Sequence, residues 1–323
     1  MPGQSMINGK AFEYACLTAL YNSLRTRGEV VIEDSQQMRT ARNAFNGLSA
    51  EQHLDFMKAA DAAARVVIRL EPQLKYPEGN EPLYLSIQAD ARGMAGDVRD
   101  VLCIRRQNQW VIGLSCKHNH HAVKHSRLSD SIDFGEEWLG IPCSKQYFSE
   151  IIPLFSELRH IRDSNRGIGL KALWADIPDK LEKYYEPVLR SFIDELGRIA
   201  NGNSDVPRKL VQYLIGRNDF YKIITDDNHR TTRVEAVNIS GTLNRPSGGH
   251  RSIVDIPTLH LPTRIYHMGF KPQSKNTIEV VCDEGWTIAM RIHNASSEVE
   301  PSLKFDVNLI SLPGSIHAQV EPW

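Results

Sequence analysis

No stretch of this 323-residue chain approaches the roughly eighteen uninterrupted apolar residues that a membrane-spanning helix requires, and Glu13 interrupts the N-terminal segment where a secretory leader is purely apolar. A soluble, cytoplasmic protein with no membrane partner is therefore expected. Cysteine is scarce. Cys16, Cys103, Cys116, Cys143 and Cys282 are odd in number, widely separated and form no C-x-x-C, which suggests neither a disulfide framework nor a zinc knuckle and predicts reduced, mostly buried thiols. Internal repeats and low-complexity tracts are missing as well, which removes solenoid, fibrous and disordered classes. At roughly 100 to 200 residues per domain, the length suits one large domain or two closely packed ones.

Net charge is also nearly absent, with 38 Lys and Arg against 39 Asp and Glu. The distribution is uneven, and distribution is what a polyanionic partner feels. Residues 91–130 hold seven Lys or Arg, three Asp and four His; residues 208–251 hold eight basic against four acidic; the intervening 131–200 is acidic, twelve against nine. Two basic regions flanking an acidic one are weakly compatible with nucleic acid, and by themselves favour scattered surface charge on an ordinary enzyme.

Residues 9–25 read as an amphipathic helix, with Lys10, Tyr14, Thr18, Asn22 and Arg25 on one stripe and Leu17, Leu20 and Leu24 opposite. Ser49 with Gln52 spells a capping box for a second helix running to about Leu70, before Pro72, Pro77 and Pro82. Short β runs at 98–105 and 110–117 suggest a hairpin. Helices are expected at 146–163 and 179–199, a linker at Asn201-Gly202-Asn203-Ser204, and strands at 277–281, 286–292 and 303–310. The organisation expected is a core at 1–205 and a β-rich region at 206–323 packed closely on it.

The hairpin carries the chemistry. Side chains alternate along a strand, so a turn of two or four residues pairs positions that sum to 215, setting Asp100 opposite Ser115 with Lys117 diagonal to it; a three-residue turn separates them. A carboxylate beside a lysine suits phosphodiester hydrolysis. The acid holds a hard divalent cation, and the lysine, its pKa lowered by partial burial, holds or deprotonates the attacking water. The bland alternative is a cross-strand ion pair. One carboxylate is thin for a metal site, and the second acid stays open among Glu13, which shares the leucine stripe of the first helix, Asp97, and Asp130, Glu136 or Glu137 beyond the hairpin.

Several segments together carry a family likeness: the G-K-A-F-E of the first helix, GDVRDV from Gly96, IGLSCKHNHHAVKHSRLS from Ile112, DFGEEWLGIPCS from Asp133 and RIHNASSEVEPSLKFDV from Arg291. The chain resembles the HaeIII family of type II restriction endonucleases, within the PD-(D/E)XK nuclease superfamily, over almost its whole length. The resemblance implies an α/β core with a mixed central sheet flanked by helices and a β-rich C-terminal recognition region. It also implies Mg2+-dependent cleavage of double-stranded DNA at GGCC, blunt between G and C, and a companion cytosine methyltransferase acting on the same site. Carried over by residue, Asp100 resembles the metal-binding Asp, Lys117 the catalytic Lys, Cys116 a backbone-carbonyl metal ligand and Glu13 the first-helix glutamate, with Asp97 a further catalytic and metal candidate. Ser115 departs from the pattern, which has an acid there. Related enzymes with Ser at that position recruit an acid from a following helix, which favours Asp130 or Glu136.

His118, His120, His121 and His125 crowd behind Lys117, yet no cysteine partners them at a zinc spacing. Lys124, His125, Ser126 and Arg127 are better suited to phosphate contact. A GGCC site displays guanine acceptors and cytosine donors in the major groove, for which Arg291, His293, Asn294, Arg230 and Arg233 are candidates, with Arg245, His250 and Arg251 around the glycines. A palindromic target suits a homodimer, while a monomer nicking each strand in turn also remains open. Two other classes stay in play: a structure-selective repair or recombination nuclease, and a non-catalytic DNA-binding module in which Ser115 marks a degenerate site.

Overall fold

The computed structural model describes residues 4–89, 97–119 and 126–323. The chain forms two compact units, each assembled from separated stretches: Met1–His121, Gly216–His260 and Gly314–Trp323 in the first, Ala122–Ile215 and Leu261–Pro313 in the second. The boundary expected after residue 205 falls inside the second unit, and the expected linker there joins two of its helices.

The first unit is α/β. Its seven-stranded mixed sheet has the order β1-β2-β3-β4-β6-β7-β12, from strands β1 (Val30–Ile32), β2 (Leu83–Ile87), β3 (Val101–Arg105), β4 (Trp110–His118), β6 (Phe220–Asp226), β7 (Thr231–Val237) and β12 (His317–Pro322). Helices α1 (Gln4–Leu24), α2 (Gln36–Asn46) and α3 (Ala50–Leu70) pack together, with α4 (Pro72–Lys75) after them; α1 lies on β4, and α3 on β7 and β12. Their fully buried Phe12, Leu17, Leu20, Val66, Val67 and Leu70 meet Leu85, Cys103, Ile112, Leu114, Ile223 and Val234 of the sheet in one core. The capping box is present, Ser49 Oγ accepting from Gln52 N and Gln52 Oε1 accepting from Ser49 N.

The central strand β4 runs antiparallel to β3 and parallel to β6. The β3–β4 turn holds the four residues 106–109, closed by Gln109 in the left-handed region (φ 51°), and Val101 pairs with Leu114, so the register sums to 215. On β3 and β4, Leu102, Ile104, Val111, Gly113, Ser115 and Lys117 therefore share the face turned away from α1, while Cys116 joins the helix-side core.

The second unit has a five-stranded antiparallel sheet ordered β5-β11-β10-β9-β8, from β5 (Arg127–Leu128), β8 (Ile265–Phe270), β9 (Thr277–Cys282), β10 (Thr287–Asn294) and β11 (Leu303–Ser311). Its helices are α5 (Lys145–Gly167), α6 (Glu186–Gly202) and α7 (Val206–Ile215). Phe192 of α6 meets Phe305 of β11 at 5.3 Å between ring centroids and Phe134 at 4.6 Å, an aromatic core of its own. The C-terminal strands thus divide: β8 to β11 build this sheet, whereas β6, β7 and β12 extend the first one. No described helix is long and apolar enough to cross a membrane.

Candidate active site

Asp100 sits one residue before β3, where its N–H donates to Leu114 O (2.7 Å), and Lys117 lies near the end of β4. The four-residue turn puts both at the same end and on the same face of the hairpin. Asp100 Oδ2 accepts from Cys116 N at 2.7 Å and from Lys117 Nζ at 3.4 Å. Asp100 Oδ1 has no partner among the described residues. Both side chains are about a quarter exposed, at 23% and 25%, and a pair so placed contributes only about 0–1 kcal/mol. Stability alone is a weak reason for it.

Glu13 is the acid that α1 brings to this end. It is only 6% exposed, among Phe12, Leu17 and Leu20, and takes a 3.1 Å hydrogen bond from Lys10 Nζ on the preceding helical turn. Burial and then the charge of Asp100 push its carboxyl up to about 8, against the opposing pull of Lys10 and Lys117. Two acids that raise one another's proton affinity, one with an oxygen unpartnered among the described residues, offer oxygen donors of the kind a hard cation takes. Lys117 departs from expectation: burial pulls its pKa down, but Asp100, Cys116 and Glu13 outweigh that and the net shift is upward. It is an ammonium ion at neutral pH, not a depleted base.

Asp97, the other acid of the GDVRDV segment, turns both oxygens to Arg99, at 2.7 Å to Nε and 2.7 Å to Nη2. Burial raises its pKa, but these bonds more than offset that and hold it below the ordinary carboxylate range. Both oxygens of this expected metal candidate thus face the Arg99 guanidinium, a bidentate match. The Arg99 stem lies over Gly113, where an added Cβ would stand 2.3 to 2.6 Å from its Cδ, Cγ and Cβ. Gly113→Ala is expected to destabilise the protein by about 1–3 kcal/mol through overpacking. A denaturant melt checks this, and an unchanged midpoint would mean that Arg99 can leave its seat freely.

Asp130, Glu136 and Glu137 belong to the second unit. Asp130 receives Arg159 Nη2 at 2.9 and 2.6 Å on its two oxygens, and Glu136 and Glu137 are exposed. Ser115 is buried at 2% and pairs across β6 with Lys222, a buried lysine that the sequence reading passed over. Burial lowers Lys222 to about 8, with Glu235 opposing and Lys117 reinforcing that shift. Lys10 was also passed over, because as part of the polar stripe it looked like solvent-facing charge. No group of three or more His, Cys, Asp and Glu side chains suited to a metal ion occurs among the described residues. A cation here would rest on two carboxylates, a backbone carbonyl and water.

Comparison with known proteins identifies the family. A model of the HaeIII restriction endonuclease family matches residues 9–313. The chain belongs to the HaeIII restriction endonuclease family. The type II restriction enzyme HaeIII of Haemophilus aegyptius is 41% identical over 324 positions, covering 100% of this chain and 99% of the relative. No solved structure matches.

Most of the basic side chains expected on DNA have intramolecular partners in this HaeIII-family nuclease. Arg230 bonds Asp55 (3.0 Å) and lies 4.9 Å from the centre of the Trp323 ring, and Arg233 bonds Glu235 (2.7 Å). In the second unit Arg127 reaches Glu300 and Ser302, and Arg291 reaches Asp306 (3.2 Å). His293 Nδ1 bonds the Asn294 carbonyl, and Asn294 bonds Ser296 O and Tyr185 OH, so both brace their own turn. Ser126 is buried, with its hydroxyl unpartnered among the described residues. His118 bonds Asp227 (2.8 Å) and lies against the Phe56 ring. His250 stacks on Tyr76 at 3.7 Å. Lys124, His125, His120 and His121 lie outside the described residues.

Proposed function

We propose that this HaeIII-family enzyme hydrolyses double-stranded DNA at GGCC, cutting between G and C to leave blunt ends with 5'-phosphates, on a PD-(D/E)XK-type core with Mg2+ as cofactor. The observation that carries the reading is the convergence of Asp100, Lys117 and Glu13 at one end of the central hairpin, in a chain whose relative is named a type II restriction enzyme.

Asp100 and Glu13, with the Cys116 carbonyl, would hold the ion. Hard oxygen donors with room for water suit Mg2+, which keeps several of its own waters. When bound, the ion supplies charge neutralisation at the phosphate and acidifies water. The Cys116 N–H bond orients Asp100, so its free Oδ1 keeps a defined direction. Lys117, cationic at neutral pH, orients the attacking water and offsets the negative charge that grows on the phosphoryl oxygens as the new P–O bond forms and the bond to the 3'-oxygen breaks. Glu13 would be favoured in its ionised form beside a bound cation, which offsets the burial and the charge of Asp100 that raise its pKa. Asp97 acts indirectly, holding Arg99 and with it the approach to β3.

A homodimer matches a palindromic target, and a companion cytosine methyltransferase would protect the same sites in a cytoplasmic setting. Plasmid DNA incubated with the protein and Mg2+ is expected to give discrete fragments whose sequenced ends read GG and CC. Ends without sequence preference would favour a structure-selective nuclease, and salt-sensitive binding without scission a non-catalytic module.

A further inference from the structure

The first unit holds a second polar feature, a cleft of about 540 Å3 lined from both ends of the β3–β4 hairpin. Leu102, Ile104 and Val111 form its floor, and these residues share a sheet face with Lys117. The cleft thus opens on the face that bears the catalytic lysine, and Arg99, next in the chain to Asp100, forms part of its wall.

Its polar groups fall into two sets. One set is fastened: Arg99 by Asp97 and by its seat over Gly113, and the loop Ser240–Thr242 by the buried Asp219, which accepts from Ser240 N (2.7 Å), Thr242 N (2.7 Å) and Thr242 Oγ1 (2.6 Å). The other set is open. Asn108 and Asn218 make no side-chain hydrogen bond among the described residues, and Arg245 is bonded only through Nε, to Gly241 O (2.9 Å). Two further lining residues, Gln73 and Trp110, are more than nine-tenths buried, yet Gln73 Oε1 and Trp110 Nε1 have no partner among the described residues. Buried polar atoms without partners call for an explanation, and a ligand is one. Among the described lining residues the one acid, Asp219, already holds three donors, so the open set comprises amides, an indole N–H and a single guanidinium.

That inventory describes its ligand. A guanidinium donates to guanine O6 and N7, and an amide oxygen accepts from cytosine N4, whereas a phosphate alone would leave the amide acceptors idle. We infer that the cleft reads base edges of the DNA target, with Arg245, Asn108 and Asn218 as specificity-determining residues. This rests on the nuclease reading above and adds to it a site for sequence recognition.

The test begins by sequencing the ends of a wild-type digest, so that the cognate site is measured rather than assumed. Asn108→Ala, Asn218→Ala and Arg245→Ala, with the double variant Asn108→Ala/Arg245→Ala, are then compared on a cognate duplex and on duplexes with one base pair changed. Expected is a loss of about ten- to a hundredfold in kcat/KM on the cognate duplex with a smaller loss on the altered ones, so that discrimination narrows. Thermal melting should stay at the wild-type value, since Asn108 is exposed on a turn. Wild-type discrimination in all variants overturns the inference. So does an equal loss on every duplex with a shallower salt dependence, which marks phosphate contact. If the wild type cuts nothing, the nuclease reading fails separately. The same variants are then compared for wild-type sequence preference by mobility shift, where a narrowed preference supports the cleft, and an unchanged one, or none in the wild type, overturns it.

Discussion

Lys117→Ala is expected to lower kcat for duplex cleavage by about 10²- to 10⁴-fold, the range associated with loss of a group that handles the attacking water, while specific DNA binding stays within a few-fold of wild type. The side chain sits 3.4 Å from Asp100, a quarter exposed, in an ion pair too weak to matter for folding. Removing it therefore deletes a charge without removing core, which isolates the proposed role at the phosphate. Because Asp100 and Glu13 raise its pKa above the ordinary lysine value, no falling limb from its deprotonation is expected in the pH–rate profile below about pH 10. Single-turnover cleavage and a mobility shift in Ca2+ would check both halves. Undiminished turnover by the variant would remove Lys117 from the mechanism.

Glu13→Gln is expected to abolish Mg2+-supported cleavage and, in metal-free buffer, to stabilise the protein. The sign follows from linkage. The carboxyl has its ordinary pKa of 4.5 when unfolded and about 8 when folded, so between those values the folded state binds the extra proton and wild-type stability falls as pH rises. Above about pH 8 the folded protein carries a buried carboxylate that glutamine replaces with a neutral amide. The full shift corresponds to at most about 5 kcal/mol, reduced by the lost bond to Lys10. Melting curves at about pH 5 and pH 9 should therefore nearly coincide at the acid end and favour the variant at the alkaline end. Added Mg2+ should raise the wild-type midpoint and leave that of Glu13→Gln much less changed. A variant less stable than wild type at both pH values would show that Glu13 is an ordinary structural acid.

Helices α1 and α3 and the β3–β4 hairpin of the first unit were legible in advance because their signals are local, whereas α2, β1 and β2 were not. The stripe of Leu17, Leu20 and Leu24, the Ser49–Gln52 box and the Asp100/Lys117 register each depend on a few consecutive residues and one turn. The strands β9, β10 and β11 alternate apolar and polar residues and were found for the same reason. Strand β6 was not: Phe-Tyr-Lys-Ile-Ile-Thr is buried on both faces and shows no period-2 pattern. The helix α7, expected as part of a β-rich half, places Val206, Leu210, Val211 and Leu214 on one side, a repeat too short to stand out after Asn-Gly-Asn-Ser.

Local pattern determined that Asp100 and Lys117 would point the same way if the turn held two or four residues, and the four-residue turn of the structure meets that condition. Tertiary packing decided everything that needed distant partners. Glu13 comes to this end of the hairpin because α1 lies on β4; Asp97 turns both oxygens to Arg99; Lys117 gains rather than loses proton affinity because Asp100, Cys116 and Glu13 outweigh its burial. The C-terminal strands parted between two sheets for the same reason. A strand's sequence specifies which side chains it buries, but the edge that receives its hydrogen bonds is chosen by the rest of the fold.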